Sequence, residues 1–421
     1  MGATVLAAAG LTTSDALAGP QTYSPPPNPS GKQCSFASAV YAISHRQAYG
    51  NCPAGSGSHS SPDIIKLQAG ATYQISGTLT ISRDVIIEST TANKMAIISQ
   101  IGAPTNFLGG LIEITTPSYA AAVTLQDIDL LGMNSGYSRG IYGQGNNTTG
   151  MLTLTRSWVE NFDILGIYLS GISLTATDSD IDNNGSNTEE YAEAGGIFMG
   201  PPGKASVTLL LNHSSVTNNQ AGGVDLELAG GSVSNIKNST ICDNWGGNGL
   251  TVGGSNGPKL NIYGSSIFLN NADYEYAGTG YKYGGVQIVG GSGAVVTIDQ
   301  TVVADNAGPG GDVADLWGIV TTMNNSLLGN DWDATIEKET GVNLVDLDAQ
   351  IDPVLRGDLG GHGQRHPLTH APVQGSPLID ATPTPDSNVG TQDEGYRNRC
   401  YDFYPGGYKC DIGAVELQKN D

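Results

Sequence analysis

Charged residues are scarce in this chain of 421 residues, and basic residues are scarcer than acidic ones. Only 14% of the residues are charged, which excludes a helical protein laced with surface ion pairs. Lys and Arg number 18 against 40 Asp and Glu, a net charge of −22, so nucleic acid is not an expected partner. An acidic polysaccharide would need cations such as Ca²⁺ to approach. No apolar run is long enough to predict a membrane span.

Gly and small polar residues are abundant in this chain. Gly accounts for 59 of 421 residues, which is about twice its usual share of ~7%. Ser, Thr, Asn and Gly separate short runs of Val, Ile and Leu, and this pattern predicts an all-β protein. The acidic excess has a simple alternative interpretation, because net charge alone keeps an extracellular protein soluble.

One short phrase repeats from residue 179 to residue 330. It is a Ser, Thr or similar small residue, a β-branched residue or Leu, two spacer residues and an Asn. Its terminal residues are Asn184, Asn219, Asn244, Asn270, Asn306 and Asn330. Their steps of 35, 25, 26, 36 and 24 residues describe one repeat with two longer insertions. Such periodicity predicts a solenoid. We expect the Asn side chains to stack in turns, where Asn tolerates a left-handed backbone.

The ends of the chain differ from the repeats. Residues 1–30 are interpreted as a signal-like, extended leader, and its Pro-rich part, residues 20–30, is expected to form neither helix nor sheet. Residues 31–62 form an N-terminal cap, 63–331 the coils and 332–421 a C-terminal tail. Ser35 can begin a helix in the cap and Gly50 can end it. Four cap residues have helical spacing: Phe36, Val40, Ile43 and Gln47.

The five cysteines favour export to a secreted, extracellular or periplasmic location. Cys34 and Cys52 lie close together near one end, and Cys400 and Cys410 near the other. Two local pairs at the ends predict two disulfides that staple the caps. Cys242 lies inside a repeat and is interpreted as a small buried side chain.

Both ends resemble parts of one bacterial group. Cys34-Ser35-Phe36 together with residues 62–73 resembles the CSLREA-type start of many secreted proteins. In the tail, residues 352–355, 369–370, 375–381 and 410–416 resemble the terminal module of choice-of-anchor Q proteins. The resemblance implies a right-handed parallel β-helix. It implies little about activity, because that scaffold serves pectate-lyase-like enzymes, glycosidases, adhesins and passive surface proteins.

A Gly pair or a single Gly, followed by a strand, comes after each Asn turn. Alternation along these strands places eight apolar residues inside: Ile141, Ile167, Ile197, Val224, Leu226, Leu250, Val286 and Ile288. The outward positions are then Tyr142, Tyr168, Phe198, Asp225, Thr251 and Gln287, with Glu227 beside them. A row of aromatic residues followed by two carboxylates is unusual for a passive face.

Both insertions lie between an Asn turn and the next Gly pair, so they should leave the same edge three coils, or ~14 Å, apart. We interpret them as the walls of a glycan-binding groove and the strands between them as its floor. The candidate catalytic carboxylates are Asp225, Glu227, Glu190, Glu193, Asp273 and Glu275. The candidate substrate-binding residues are Tyr142, Tyr168, Tyr191, Phe198, Trp245, Thr251, Tyr276, Lys282 and Gln287.

The residues leave three functions of a monomeric, polysaccharide-binding protein open. Hydrolysis needs two carboxyl groups either about 5 Å or about 6.5–9.5 Å apart, which the candidate set can supply. β-Elimination needs a base, for which Lys282 is the candidate, and Ca²⁺ is the one cofactor this reaction suggests. A non-catalytic adhesin is the alternative from another class. His362, His366 and His370 are interpreted as structural, because the intervening Gly and Pro residues prevent a shared helix face.

Overall fold

A computed structural model describes residues 19–102, 109–116, 120–133, 138–145, 150–185, 195–200, 206–272, 284–291, 293–308, 315–330, 333–352, 368–382, 387–394, 399 and 409–416. In these ranges the chain is nearly all strand and forms a right-handed parallel β-helix with three sheets. This confirms the predicted fold class. No helix among the described residues is long and apolar enough to cross a membrane.

Each coil contributes one strand to each sheet, so strands that are three apart in sequence are neighbours. Sheet 1 contains β1 Thr22–Tyr23, β2 Asp63–Leu67, β5 Val85–Ser89, β8 Ala122–Gln126, β11 Gly150–Thr155, β14 Ile172–Thr177, β17 Leu209–Asn212, β20 Val233–Lys237, β23 Lys259–Tyr263, β26 Val295–Asp299, β29 Thr322–Asn324 and β32 Glu339–Thr340. Sheet 2 contains β4 Leu79–Ile81, β7 Gly110–Thr116, β10 Arg139–Gly145, β13 Leu165–Ser170, β16 Ile197–Gly200, β19 Val224–Leu228, β22 Leu250–Gly254, β25 Val286–Ile288, β28 Leu316–Val320 and β31 Asp333–Ile336. Sheet 3 contains β3 Thr72–Ile75, β6 Ala96–Gln100, β9 Ile128–Leu131, β12 Trp158–Glu160, β15 Asp180–Asp182, β18 Ser215–Thr217, β21 Thr240–Cys242, β24 Ser266–Phe268, β27 Val302–Ala304, β30 Leu327–Leu328 and β33 Leu344–Val345.

The core is a stack of aliphatic side chains along the helix axis. In sheet 2, Ile141, Ile167, Ile197, Val224, Leu250 and Val286 lie in register and are at most 1% exposed. Burying one such side chain contributes about 1.5–3 kcal/mol. The eight inward positions predicted from alternation are therefore confirmed.

Five of the six predicted Asn residues form an inward ladder. Asn184, Asn219, Asn244, Asn270 and Asn306 are at most 1% exposed. In each step the side-chain amide donates to the Oδ1 of the next rung; from Asn219 to Asn244 the distance is 3.0 Å. The backbone N–H of Asn219 donates to the same oxygen, also at 3.0 Å. The ladder thus satisfies amides that a solenoid core would otherwise leave unpaired.

The turn differs from the prediction in two respects. The left-handed residue is the one before each rung, as at Asn218 and Asp243, with φ of 53° and 55°. The last rung is Asp315 instead of Asn330: its Oδ1 accepts from the backbone and side-chain nitrogens of Asn306 at 2.8 and 2.9 Å. Leu328 pairs with Val303. Asn330 is therefore in register with Asp305, the residue before rung Asn306. Burial raises the pKa of Asp315 to about 7.

A second inward ladder, made of hydroxyl groups, runs along the turn between sheets 1 and 3. Its rungs are Ser157, Ser179, Ser214, Ser239, Ser265, Thr301 and Ser326, all at most 1% exposed. The backbone N–H of each rung donates to the hydroxyl of the next, for example Ser214 to Ser239 at 3.2 Å. Two polar ladders therefore fix two of the three corners of the coils between residues 184 and 315.

The recurring Gly residues mark a place where the backbones of successive coils come too close for a side chain. A Cβ on Gly196 would lie 2.4 Å from the carbonyl oxygen of Gly223, and a Cβ on Gly223 would lie 2.5 Å from that of Gly249. Any larger residue would push neighbouring coils apart just before sheet 2. These Gly residues therefore fix where strands β16 and β19 of sheet 2 begin.

The N-terminal cap contains helix α1, Phe36–His45, which Ser35 caps by accepting from the backbone N–H of Ser38 at 3.1 Å. The helix ends at Arg46, which is left-handed, instead of at Gly50. Phe36, Val40 and Ile43 are buried as predicted, whereas Gln47 is exposed because it lies beyond the helix. The Cys34–Cys52 disulfide is confirmed.

The Pro-rich leader forms sheet after all, contrary to the prediction. Thr22 and Tyr23 pair in parallel with Ile64 and Ile65 of β2. Tyr23 is 3% exposed, and its hydroxyl donates to the Pro53 carbonyl oxygen at 3.1 Å. Burial of this aromatic ring outweighs the poor strand propensity of its neighbours.

The C-terminal tail folds back over the outer face of sheet 3. The buried Arg399 donates to Asn238 Oδ1 at 3.0 Å and to the carbonyl oxygens of Gly264 and Gly413 at 2.9 and 2.8 Å. Burial raises the pKa of Glu394, which accepts a hydrogen bond from Thr240. An apolar contact adds to this docking, formed by Val302, Ala304, Leu327, Ala349, Leu378 and Ile412.

The coils continue past residue 331, where the sequence placed the start of the tail. Strands β31, β32 and β33 add one further rung to each sheet and carry the helix to Val345. Cys410 is disulfide-bonded, and its predicted partner Cys400 lies outside the described residues.

Candidate functional site

The outer row of sheet 2 is a single line of side chains in register. Strand pairing aligns Glu113, Tyr142, Tyr168, Phe198, Asp225, Thr251, Gln287 and Trp317. The six residues predicted from the sequence are all in this row. Glu113 and Trp317, the next positions on either side of these six, were missed. Strand β28 carries Trp317 but lacks the Gly pair that marked the other strands.

The aromatic part of the outer row stacks on itself. The Tyr142 and Tyr168 ring centroids are 5.2 Å apart with 20° between the planes, and those of Tyr168 and Phe198 are 5.0 Å apart at 15°. The Arg139 guanidinium lies 5.4 and 5.0 Å from the two Tyr centroids. Both faces of Tyr168 are therefore occupied by protein. The expectation that these rings stack on sugar is wrong for Tyr168, whose two faces are covered by Tyr142 and Phe198.

Two carboxyl groups project from the same face of strand β19. Asp225 belongs to the outer row and is 8% exposed, whereas Glu227, two residues further along, is exposed. At ~3.3 Å per residue their Cα atoms are ~6.6 Å apart. The residue paired with Glu227 on the next strand is Gly253, so that side of the carboxylate is open. The carboxyl groups of an acid and a base that enclose a water molecule lie about 6.5–9.5 Å apart, and side chains that start from these two Cα atoms can reach that separation.

The outer row continues as a buried hydrogen-bond network instead of the open floor expected. Thr251 and Gln287 are 7% and 8% exposed. The Asn248 side-chain amide donates to Thr251 Oγ1 at 2.9 Å and to Gln287 Oε1 at 2.6 Å. Asn248 Oδ1 is buried and accepts no hydrogen bond from the described residues. The network therefore has an unused acceptor, and no motif in the sequence points to Asn248.

The two insertions leave the same edge of the helix, as predicted. Their first residues follow rungs Asn184 and Asn270, which lie three steps apart in the Asn ladder. Trp245 lies on the same edge between them, pairs with Gln220 and Asn271, and is 54% exposed. The insertions themselves, 186–194 and 273–283, lie outside the described residues. So do seven of the candidates: Glu190, Tyr191, Glu193, Asp273, Glu275, Tyr276 and Lys282.

A cavity of about 520 Å³ lies at the far end of the same face. Trp317, Val289 and Ile319 form its apolar lining, and Thr335 and Glu337 contribute polar groups. Trp317 belongs to the outer row, whereas Ile319 and Thr335 belong to the neighbouring row that lies two residues further along each strand. The cavity is therefore continuous with the face that carries Asp225 and Glu227.

No family model matches the chain, and no curated protein matches it in sequence. The fold is similar to that of pectate lyase Pel9A, with 14% identity, a TM-score of 0.45, and coverage of 96% of this chain and 98% of that one. It is also similar to the A-module of mannuronan C-5 epimerase AlgE4 from Azotobacter vinelandii, with 15% identity, a TM-score of 0.35, and coverage of 74% and 93%.

A third similar structure is the Dettilon tailspike protein, with 15% identity, a TM-score of 0.31, and coverage of 67% of this chain and 62% of that one. At these identities the likeness concerns the fold alone. The functional argument therefore depends on the residues of the site.

Proposed function

We propose that this protein binds a polysaccharide along the outer face of sheet 2 and hydrolyses it with Asp225 and Glu227. The observation that carries the proposal is the pair of carboxyl groups on strand β19, one nearly buried and one exposed, ~6.6 Å apart at their Cα atoms. An inverting glycoside hydrolase, in which a water molecule attacks between acid and base, needs carboxyl groups about 6.5–9.5 Å apart, and side chains on Cα atoms ~6.6 Å apart can reach that separation. Asp225, shielded from solvent, is the proton donor, and Glu227 is the base that activates water.

Binding groups lie on the coils that follow strand β19. The Asn248 side-chain amide holds the side chains of Thr251 and Gln287 in place in the outer row beside Asp225. The exposed Trp245 and the cavity at Trp317 offer aromatic surface, which suits the apolar faces of sugar rings. The candidates on the two insertions complete the proposed groove.

The setting we propose is extracellular or periplasmic. The Cys34–Cys52 disulfide supports it, because such bonds persist in oxidising compartments. We also propose that the cap and the tail are the CSLREA-like and choice-of-anchor Q-like modules that the sequence resembles. Calcium belongs to the proposal only if the reaction is elimination, since Asp and Glu oxygens would bind it beside a uronate.

The test is a screen on a panel of neutral and acidic glycans with the full chain and two variants, Asp225→Asn and Glu227→Gln. We expect each variant to lose about 10²–10⁴-fold in rate, the usual contribution of an acid–base group. The matched control is Glu88→Gln, a carboxylate on sheet 1 that pairs with Lys66 at 3.3 Å. NMR of the first product should show an inverted anomeric configuration.

The alternatives predict different results. Full activity in both variants would refute this site. An unsaturated product that absorbs in the ultraviolet would show elimination instead of hydrolysis. Binding to a glycan with no cleavage of any panel member would favour the adhesin. In that case, loss of affinity on replacing Asn248 with Ala would still place the binding site on sheet 2.

A further inference from the structure

Three potential metal ligands meet where the tail docks on sheet 3. Cys242 ends strand β21, Asp243 follows it, and His370 comes from the tail, 127 residues away from Asp243. The Cys sulfur, a carboxylate oxygen and a ring nitrogen all lie within 4.8 Å of one another. Cys242 is fully buried and His370 is 3% exposed. We call these three residues the Cys–Asp–His cluster.

The imidazole of His370 is fixed by two acceptors. Its Nδ1 lies 2.6 Å from the carbonyl oxygen of Asp352, and its Nε2 lies 2.9 Å from Asp243 Oδ2. A carbonyl oxygen can only accept, so Nδ1 carries a proton. A neutral imidazole has one N–H group, which leaves the Nε2 lone pair facing a carboxylate oxygen. Two lone pairs at that distance repel each other unless a cation, either a proton or a metal ion, is shared between them.

The third group in the cluster completes a set of zinc ligand types. The side chain of Cys242 hydrogen-bonds to Asp243, so its sulfur already faces the carboxylate that a metal ion would bind. Cys, His and Asp are the ligand types of Zn²⁺, with bonds of about 2.3 Å to sulfur and about 2.0–2.2 Å to nitrogen and oxygen. Metal-bound His residues commonly donate their other N–H to a backbone carbonyl, as His370 does to Asp352. The edge of Phe268, 5.2 Å away, supports the ring from one side.

We propose that Cys242, Asp243 and His370 bind one Zn²⁺ ion that clips the tail to the β-helix. Binding displaces the thiol proton of Cys242 to solvent and leaves a thiolate, a neutral imidazole and a carboxylate as ligands. One quarter of the Asp243 side chain is exposed, which gives the ion a path from solvent and leaves room for a water as the fourth ligand. The clip would hold together two segments whose ligands Asp243 and His370 are 127 residues apart in the chain.

The test uses the full chain, without a histidine tag, after removal of metals with a chelator. Titration with Zn²⁺ in a calorimeter should show one site per chain. The Co²⁺ form should show the ultraviolet charge-transfer band of a Co–thiolate bond. Cys242→Ser should abolish that band, and Cys242→Ser and His370→Gln should each weaken Zn²⁺ binding at least about tenfold. His45→Gln, which removes an exposed His of α1, is the matched control and should bind Zn²⁺ as the parent does.

Two results would overturn the proposal. The first is the absence of stoichiometric Zn²⁺ binding in the parent chain, which would leave a shared proton as the cation between His370 and Asp243. The second is a Co²⁺ spectrum without a thiolate band, which would show an adventitious ion bound elsewhere. The second measurement requires no variant, so a folding defect in Cys242→Ser cannot mask it. Limited proteolysis adds a structural readout, because chelation should speed cleavage within the tail and Zn²⁺ should restore protection.

Discussion

Replacing Asn244 with Ala removes the centre of the Asn ladder. Its side chain donates to the Val216 carbonyl oxygen at 3.0 Å and to Asn270 Oδ1 at 2.8 Å. It accepts from both the backbone and the side-chain nitrogen of Asn219, each at 3.0 Å. Asn270 Oδ1 keeps a second donor, the Asn244 backbone N–H at 3.2 Å, so it is not left unsatisfied. The substitution therefore removes a partner from three buried groups: the backbone N–H of Asn219, one side-chain N–H of Asn219 and the carbonyl oxygen of Val216.

Each unsatisfied buried group costs about 1–3 kcal/mol, so partial relaxation suggests a total loss of about 3–6 kcal/mol in unfolding free energy. The control is Asn261→Ala on the outer face of sheet 1. Asn261 makes one half-buried ladder bond, to Asn235 at 3.0 Å, and should cost about 0.5–1.5 kcal/mol. Urea unfolding followed by circular dichroism, with equal slopes required for comparison, measures both losses. Equal losses in the two variants would refute the view that the inward ladder stabilises the coils.

Two further predictions concern buried charge. Burial raises the pKa of Asp315 to about 7, above the unfolded value of ~3.9, so stability should fall as pH rises from ~3.9 to about 7 and then level off. Asp315→Asn should flatten that slope in urea unfolding at several pH values, and an unchanged slope would contradict the assignment. Arg399→Met, compared with Arg46→Met in the exposed cap, should cost about 3–5 kcal/mol. It should also speed proteolysis of the tail; equal cleavage rates in the two variants would contradict the docking role.

Much of the fold was predictable because the buried polar residues have to repeat. An inward Asn such as Asn219 needs a partner one coil away, so it recurs at the coil length and marks the register. The Gly before most strands of sheet 2 recurs for a similar reason, since a Cβ on Gly196 would meet the backbone of the next coil. Such local requirements can be recognised in the sequence. They locate the start of these strands, and alternation along the strand then predicts the outer row correctly. They could not identify Asp315 as the last rung, because a carboxylate can accept from Asn306 as well as an amide can.

The candidate site was less predictable because it depends on side-chain geometry. Alternation shows that Tyr168 points outward, but the rotamer decides whether its faces meet sugar or the neighbouring rings. Asn248 was missed because its role depends on bonds to Thr251 and to Gln287, the latter 39 residues away. The contact between Asp243 and His370 spans 127 residues and no repeat marks it. Contacts of this kind follow from how the tail packs, which no local pattern in the sequence records.

The two proposals share one stretch of chain yet remain separable. Asp243 of the Cys–Asp–His cluster and Asn248 of the candidate site lie on either side of the same turn, between sheet 3 and sheet 2. The residue between them that could transmit a movement is Asn244, and the hydrogen bonds of its side chain tie it to the coils on both sides. A displacement of Asp243 would have to break that rung before it reached sheet 2, at a cost of several bonds. Zinc binding should therefore act on the tail, while the outer row keeps its geometry through the ladder beneath it.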